Sequence, residues 1–242
     1  MIDTSHLDRI RVVTPGKGNS GTEIESDLSK VDAHDADSLK PIRGALGAGF
    51  SDSIFTSGKS LLTEGYTDRV YISSMAHILN RRDSESLPSG CGILDMGSDG
   101  KWNKYTRFLD SEGFEYHLLL DSDKAKNNSI DKIEKSEHIS REQVTFIDDV
   151  ISEVEGNTTI ESLMGQELLT KILHELYGLN MENIDINESK PKPIVDQAEE
   201  VVSGEHNQGN DAFKKPEIAE YFCEKIKERP EEFPTDVCLE RF

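Results

Sequence analysis

Several things are scarce in this 242-residue sequence. No apolar run approaches the roughly 18–20 residues of a membrane span, so a helical membrane protein is not expected. There are 3 cysteines, Cys91, Cys223 and Cys238, odd in number and scattered, which implies no disulfide framework. No two of them stand at the spacing of a zinc module. Positive charge is short as well: 27 Lys and Arg face 47 Asp and Glu, for a formal net charge of −20. That balance lacks the basic stripe of a usual nucleic-acid binder and opposes non-specific phosphate binding. No Gly-x-x-x-x-Gly-Lys-Ser/Thr phosphate loop occurs. The first residues, Met1 to Arg11, are polar and charged, so no secretory signal and a cytoplasmic setting are expected.

What is abundant is carboxylate. Clustered carboxylates suit hard divalent cations, and a cation can bridge an acidic protein to a phosphate. The blander reading is a solubilising surface. Hydrophobic residues make up 35% and charged residues 31%, enough for a lean core. The length fits one large domain, or one domain with an attached part.

Residues 1–28 read as a pair of strands: Arg9 to Val13, a turn over Pro15 to Gly21, and a return from Thr22 to Ile24. Residues 29–40 are polar and acidic and read as a linker. Then comes a regular alternation. Ser60–Thr63, Gly92–Asp95, Tyr116–Leu120 and Gln143–Ile147 read as strands. Helical spacing fills Asp68–Leu79, with Thr67 as N-cap, then Lys104–Leu109 and Ala125–Lys135. Strands alternating with helices predict a parallel α/β sheet. Further helices are expected at Glu167–Tyr177 and Lys215–Lys227, the latter with Pro216 in its first turn. The acidic stretch 181–210 shows little apolar periodicity and reads as a loop or insertion, and the tail from Arg229 shows no clear element.

In an open α/β sheet, ligands gather beyond the carboxyl ends of the strands. Glu64 closes the first strand of the alternation, Asp121 closes the third, and Asp123 follows two residues on. If those strands are adjacent, the acids meet, and like charges brought together raise one another's pKa until a cation joins them. An all-oxygen rim of this kind suits Mg²⁺ or Mn²⁺. Asp68, in the first turn of the next helix, is either a further ligand or an acid matched to the helix dipole. Asp121 and Asp123 also have a plain reading, as a turn and a helix cap. Gly97–Lys101 reads as a strand-to-helix turn that could touch phosphate through backbone N–H groups.

These residues carry a resemblance. Leu61 to Asp68 resembles the first motif of Toprim domains, and Leu118 to Asp123 resembles the second. The Glu-Gly-x-x-Asp form of Glu64 to Asp68, and the approach Ala45 to Phe55, are similar to the OLD family of nucleases. Leu7 to Val13 resembles the end of that family's ABC-type ATPase domain. Ile160-Glu161-Ser162-Leu163 is similar to a later acidic motif, and Phe213 to Pro216 resembles the approach to the helix that carries the family's active-site lysine. The resemblance implies a Toprim, Rossmann-like, mostly parallel sheet flanked by helices, with a small N-terminal β segment and a C-terminal helical extension. It divides the chain into an ATPase remnant with linker (1–57), a Toprim core (58–180) and an acidic loop with a final helix (181–242).

It also implies a metal-dependent DNA endonuclease that uses two ions of Mg²⁺ or Mn²⁺ in defence against foreign DNA. Glu64 would be the catalytic glutamate, and with Asp121 and Asp123 it would hold one ion. Asp68 and Glu161, with or without Glu64 as a shared ligand, would hold the other, and Lys215 would be a catalytic residue neutralising charge on the phosphate. The implied partners are DNA, an ABC-type ATPase domain or subunit, and further copies of the chain in a homo-oligomer, with no membrane. Two departures stand out. Nearly all of the ATPase is missing, so the chain is a fragment, a truncated product or a subunit whose ATPase is separate. Ser162 also stands where the family's acidic motif has its last acid. A catalytically degenerate Toprim that binds a partner, or a primase-like or topoisomerase-like activity, therefore stays open as an alternative.

Overall fold

The computed structural model describes residues 12–15, 21–25, 59–88, 90–97, 102–111, 113–122, 126–151, 154, 157–206 and 213–242. Val12–Pro15 (β1) and Thr22–Glu25 (β2) pair antiparallel, with Val13 opposite Ile24. This is the expected N-terminal strand pair. The linker 29–40 and the approach 45–55 lie outside the described residues.

The alternating stretch folds as a parallel sheet of four strands. These are Lys59–Thr63 (β3), Cys91–Asp95 (β4), Glu115–Leu120 (β5) and Val144–Phe146 (β6), in the order β4-β3-β5-β6. The chain leaves β3 for β4 on one side, then crosses to β5 on the other. The direction of winding therefore switches between β3 and β5, where open α/β sheets bind ligands. Register sets Thr63 opposite Leu119, so the two strands end almost level.

Alternation along the strands sends side chains to two cores. Leu62, Leu118, Leu120, Val144 and Phe146 face one layer. It is built from Trp102, Tyr105 and Leu109 of α2 (Trp102–Ser111) and Ile133 of α3 (Lys126–Glu134). The other layer starts from α1 (Tyr66–Arg81), whose Tyr71, Met75, Ile78 and Leu79 recur at helical spacing and are buried. A short α4 (Ile147–Val150) follows β6. Against α1 pack α5 (Gly165–Tyr177) and α7 (Lys215–Glu228), with Phe222 of α7 edge-on to Tyr71. Gly178, at φ 68°, ends α5 in the left-handed conformation that glycine allows.

Three local expectations need correction. The N-cap of α1 is Gly65, not Thr67: Gly65 is extended, and its N–H donates to the Asp68 carboxylate at 2.9 Å. The stretch 181–210 is not a plain loop. It contains a turn at Met181–Asn183 and a helix, α6 (Ile194–His206), whose Val195, Ala198 and Val202 are fully buried. Ile184 and Ile186 are buried ahead of it. The tail also carries a helix, α8 (Asp236–Arg241), capped by the Thr235 hydroxyl and anchored through buried Cys238. No helix among the described residues is long and apolar enough to cross a membrane.

Candidate functional site

Each of the four parallel strands is followed at its carboxyl end by an acid, and their environments differ. On the outer strands the acids have cations of their own. Asp95 ends β4 and meets Arg69 at 3.2 Å. Asp148, just past β6, meets Lys126 at 2.5 Å. On the inner strands, at the switch point, each acid also reaches across to a backbone N–H of another segment. Glu64 follows β3 and its Oε1 accepts from the Asp121 N–H at 2.8 Å, which ties the two strand ends together. Asp121 follows β5 and its Oδ1 accepts from the Ile160 N–H at 2.9 Å.

That last bond brings in a third chain segment. Ser122 and Thr158 pair through both backbone bonds, at 2.8 and 3.2 Å, so the turn Ile160–Met164 is held against the end of β5. Glu161 lies in that turn. It is 2% exposed, and its Oε2 accepts from the Thr159 hydroxyl at 2.6 Å. A fourth segment closes the arrangement. Lys215, at the start of α7, places its Nζ 4.0 Å from Glu161 Oε1. Its neighbour Lys214 turns away and pairs with Glu217 at 2.9 Å.

The structure thus brings Glu64, Asp68, Asp121, Glu161 and Lys215 to one edge of the sheet. Asp123 lies outside the described residues, as do residues 98–101 of the Gly97–Lys101 run. Among the described residues no three His, Cys, Asp or Glu side chains already converge on one point as a cation would hold them. Glu64, Asp68 and Asp121 each direct one oxygen to a backbone N–H instead.

Among the described residues, acids outnumber cations at this edge. Burial raises the pKa of Asp68 to about 6, with Glu161 adding to the rise, while the Gly65 N–H, Thr67 and Lys215 act against it. Asp121 is held well above the usual carboxylate range, first by burial and then by Glu161, Asp68 and Glu64, against which Lys215 works alone among its main influences. Burial pulls the Lys215 pKa down, but Glu161, Asp121, Asp196 and Asp68 outweigh it, so the net shift is upward and the lysine stays charged. Buried carboxylates in this state take up a proton or a cation. The donors are all carboxylate oxygens, which fits Mg²⁺ or Mn²⁺ rather than a soft metal.

Sequence reading did not single out the supports of this edge. Ser122 is buried, donates its hydroxyl to Asp148 at 2.7 Å and accepts from the Asp148 N–H at 2.9 Å. The segment between Asp121 and Asp123 is therefore clamped on two sides. An Asp directly after a strand is the only sequence signal for Asp148, and it is common. Ser162 is 1% exposed, and its hydroxyl accepts from the Thr159 N–H at 3.2 Å. Here it braces the turn from within. His117 of β5 bonds Thr145 of β6 at 2.8 Å.

Residues 55–123 match the family model of the overcoming lysogenization defect protein-like TOPRIM domain. A comparison with curated proteins finds no match. Among solved structures, the chain is similar to the C-terminal region of the Xanthomonas campestris pv. campestris OLD protein. The identity is 17%, the TM-score 0.45, and the similarity covers 78% of this chain and 91% of that one. The matched residues 55–123 include β3, α1, β4, α2 and β5, with both acids of the switch point, and over that span the chain is similar to the OLD-like TOPRIM family.

Proposed function

We propose that this protein is a metal-dependent DNA endonuclease of the Toprim, OLD type, hydrolysing phosphodiester bonds. One observation carries the reading: four separate segments deliver Glu64, Asp68, Asp121, Glu161 and Lys215 to the switch point of the sheet, where the acids are under-neutralised. Glu64, Asp121 and Asp123 are assigned to one divalent ion, Mg²⁺ or Mn²⁺, and Asp68 and Glu161 to a second. Bound ions of this kind supply Lewis acidity and lower the pKa of water.

The chain's own residues do the rest. The Asp121 N–H fixes the direction of Glu64, and the Ile160 N–H fixes that of Asp121, so the ligands are held before any ion arrives. Thr159 orients Glu161. Lys215 is a cation of the site and would meet charge gathering on a phosphate oxygen. The net charge of −20 makes DNA an unfavourable partner without divalent cations, so binding and cleavage are both expected to need them.

Within this reading the Toprim core spans 58–180, preceded by an ATPase remnant and followed by a segment that supplies Lys215. An ABC-type ATPase domain or subunit, self-association and a cytoplasmic role in defence against foreign DNA follow from the family. A catalytically silent Toprim that binds a partner is the second reading, and Ser162 in place of an acid favours it. Cleavage of supercoiled plasmid with Mg²⁺, Mn²⁺ or EDTA, by wild type and Glu64→Ala, tests the first. Metal-dependent nicking or linearisation that the substitution abolishes is the expected result. Cutting that persists in Glu64→Ala would remove this site from the reaction.

A further inference from the structure

Tyr71 lies three residues after Asp68, on the same face of α1. It is 0% exposed, with its ring edge-on to Phe222 of α7 at 5.3 Å between centroids. Its hydroxyl has no hydrogen-bond partner, one of five such buried side-chain atoms among the described residues. Another is the Thr158 hydroxyl, in the segment that carries Glu161. Buried tyrosine hydroxyls normally find a partner, and an orphan calls for an explanation. Packing does not supply one, because a phenylalanine ring would fill the same space against Phe222.

The surroundings of the hydroxyl point to the explanation. Burial raises its pKa, and the Glu161 and Asp68 carboxylates raise it further, followed by Tyr177. Tyr71 therefore remains protonated, a buried donor within electrostatic reach of two acids. Mg²⁺ and Mn²⁺ keep part of their water shell when carboxylates bind them, and groups that hydrogen-bond to that shell tune affinity.

We propose that Tyr71 is a positioning residue of this site, whose buried hydroxyl donates to a water of the divalent cation seated between Asp68 and Glu161. The inference rests on the metal-dependent reading above. It makes the orphan a feature of the metal-free protein alone: the hydroxyl is unsatisfied until the hydrated ion enters. Removing it has opposite consequences for the two states. Tyr116 provides the contrast, because its hydroxyl already donates to the His138 carbonyl.

The experiment compares full-length wild type, Tyr71→Phe and Tyr116→Phe by thermal melting in EDTA and by calorimetric titration with Mn²⁺ alone. Tyr71→Phe is expected to melt about 2–4 °C higher when metal-free, since an unsatisfied group is gone, and to bind Mn²⁺ about tenfold more weakly. Tyr116→Phe is expected to melt lower with unchanged Mn²⁺ affinity. Wild-type affinity in Tyr71→Phe overturns the proposal and leaves the metal reading standing. A loss of both stability and affinity also overturns it, because the hydroxyl is then a packing element. If wild type binds no Mn²⁺, the metal reading itself falls, and this proposal with it.

Discussion

Two regions of this protein are rich in acids, and the same residue types behave differently in each. At the switch point, Asp68 and Glu161 are 8% and 2% exposed, and among the described residues they share with Asp121 one nearby cation, Lys215. In the stretch from Met181 to His206, acids on the surface have partners close by. Asp185 meets Lys190 at 2.8 Å and Glu200 meets Lys192 at 2.5 Å, with the acids 85% and 69% exposed. Water screens those charges, and the core beneath them is made by Ile184, Ile186, Val195, Ala198 and Val202. Negative charge alone is therefore not a signal of function. Negative charge withdrawn from water without matching cations is, because it is stable only if something else brings positive charge.

The comparison breaks most visibly in catalysis. Asp121→Asn and Lys215→Ala are each expected to lower plasmid cleavage by roughly 10²–10³-fold, the scale on which preorganised charge acts. Asp185→Asn and Glu200→Gln should leave cleavage at the wild-type rate. A cleavage assay on all four variants decides it, and equal losses in the two regions would abolish the distinction drawn here.

Next in size is the response to pH. The pKa of Asp68 is raised from 3.8 to about 6 in the folded protein. The folded state therefore binds this proton more tightly than the unfolded chain does. The associated stability is present in full below pH 3.8 and is lost as pH rises through about 6, on the order of 3 kcal/mol. Asp121, shifted in the same direction, adds to the loss. Urea unfolding of metal-free protein between pH 4 and 7 should show this falling limb. Asp68→Asn should flatten it, and Mn²⁺ should restore wild-type stability above pH 6. A limb unchanged in Asp68→Asn would mean that this carboxyl is better solvated than its burial indicates.

Much of the sheet was legible because each strand is a short apolar run that stops at an acid or a turn. The meeting of Glu64 and Asp121 followed from the parallel alternation, once β3 and β5 are neighbours. The supports were not legible, for physical reasons. The Ser122–Asp148–Lys126 cluster joins residues 22 and 26 positions apart, and it depends on β6 lying next to β5. Thr67 is the better N-cap by residue type, yet the cap is Gly65, because the Asp68 carboxylate turns back to the Gly65 N–H. Helix α6 was hidden because its apolar stripe is narrow and small, and the acids between its members dominate the composition. Tyr66, Tyr71 and Tyr105 all lie on helices, and residue type does not separate them. Burial beside two carboxylates is what sets Tyr71 apart.

The smaller effects lie where the two acidic regions touch. Arg241 of α8 pairs with Glu188 at 2.7 Å and also donates to the Ser162 carbonyl at 2.9 Å, so it links the 181–206 stretch to the turn that carries Glu161. Both partners are substantially covered, with side-chain exposures of 9% and 19%. Glu188→Gln removes the charge but keeps an oxygen that can accept from the arginine, and about 1–2 kcal/mol of stability should go with it. Glu200→Gln, on an exposed pair, should cost less than about 0.5 kcal/mol. Urea unfolding in high and low salt separates the two, since salt screens only exposed charge effectively. The Glu200 difference should vanish at high salt and the Glu188 difference should persist. If both vanish, the Arg241 link is a surface pair, and the turn at Glu161 owes its position to the Ser122–Thr158 bridge and the Asp121–Ile160 bond.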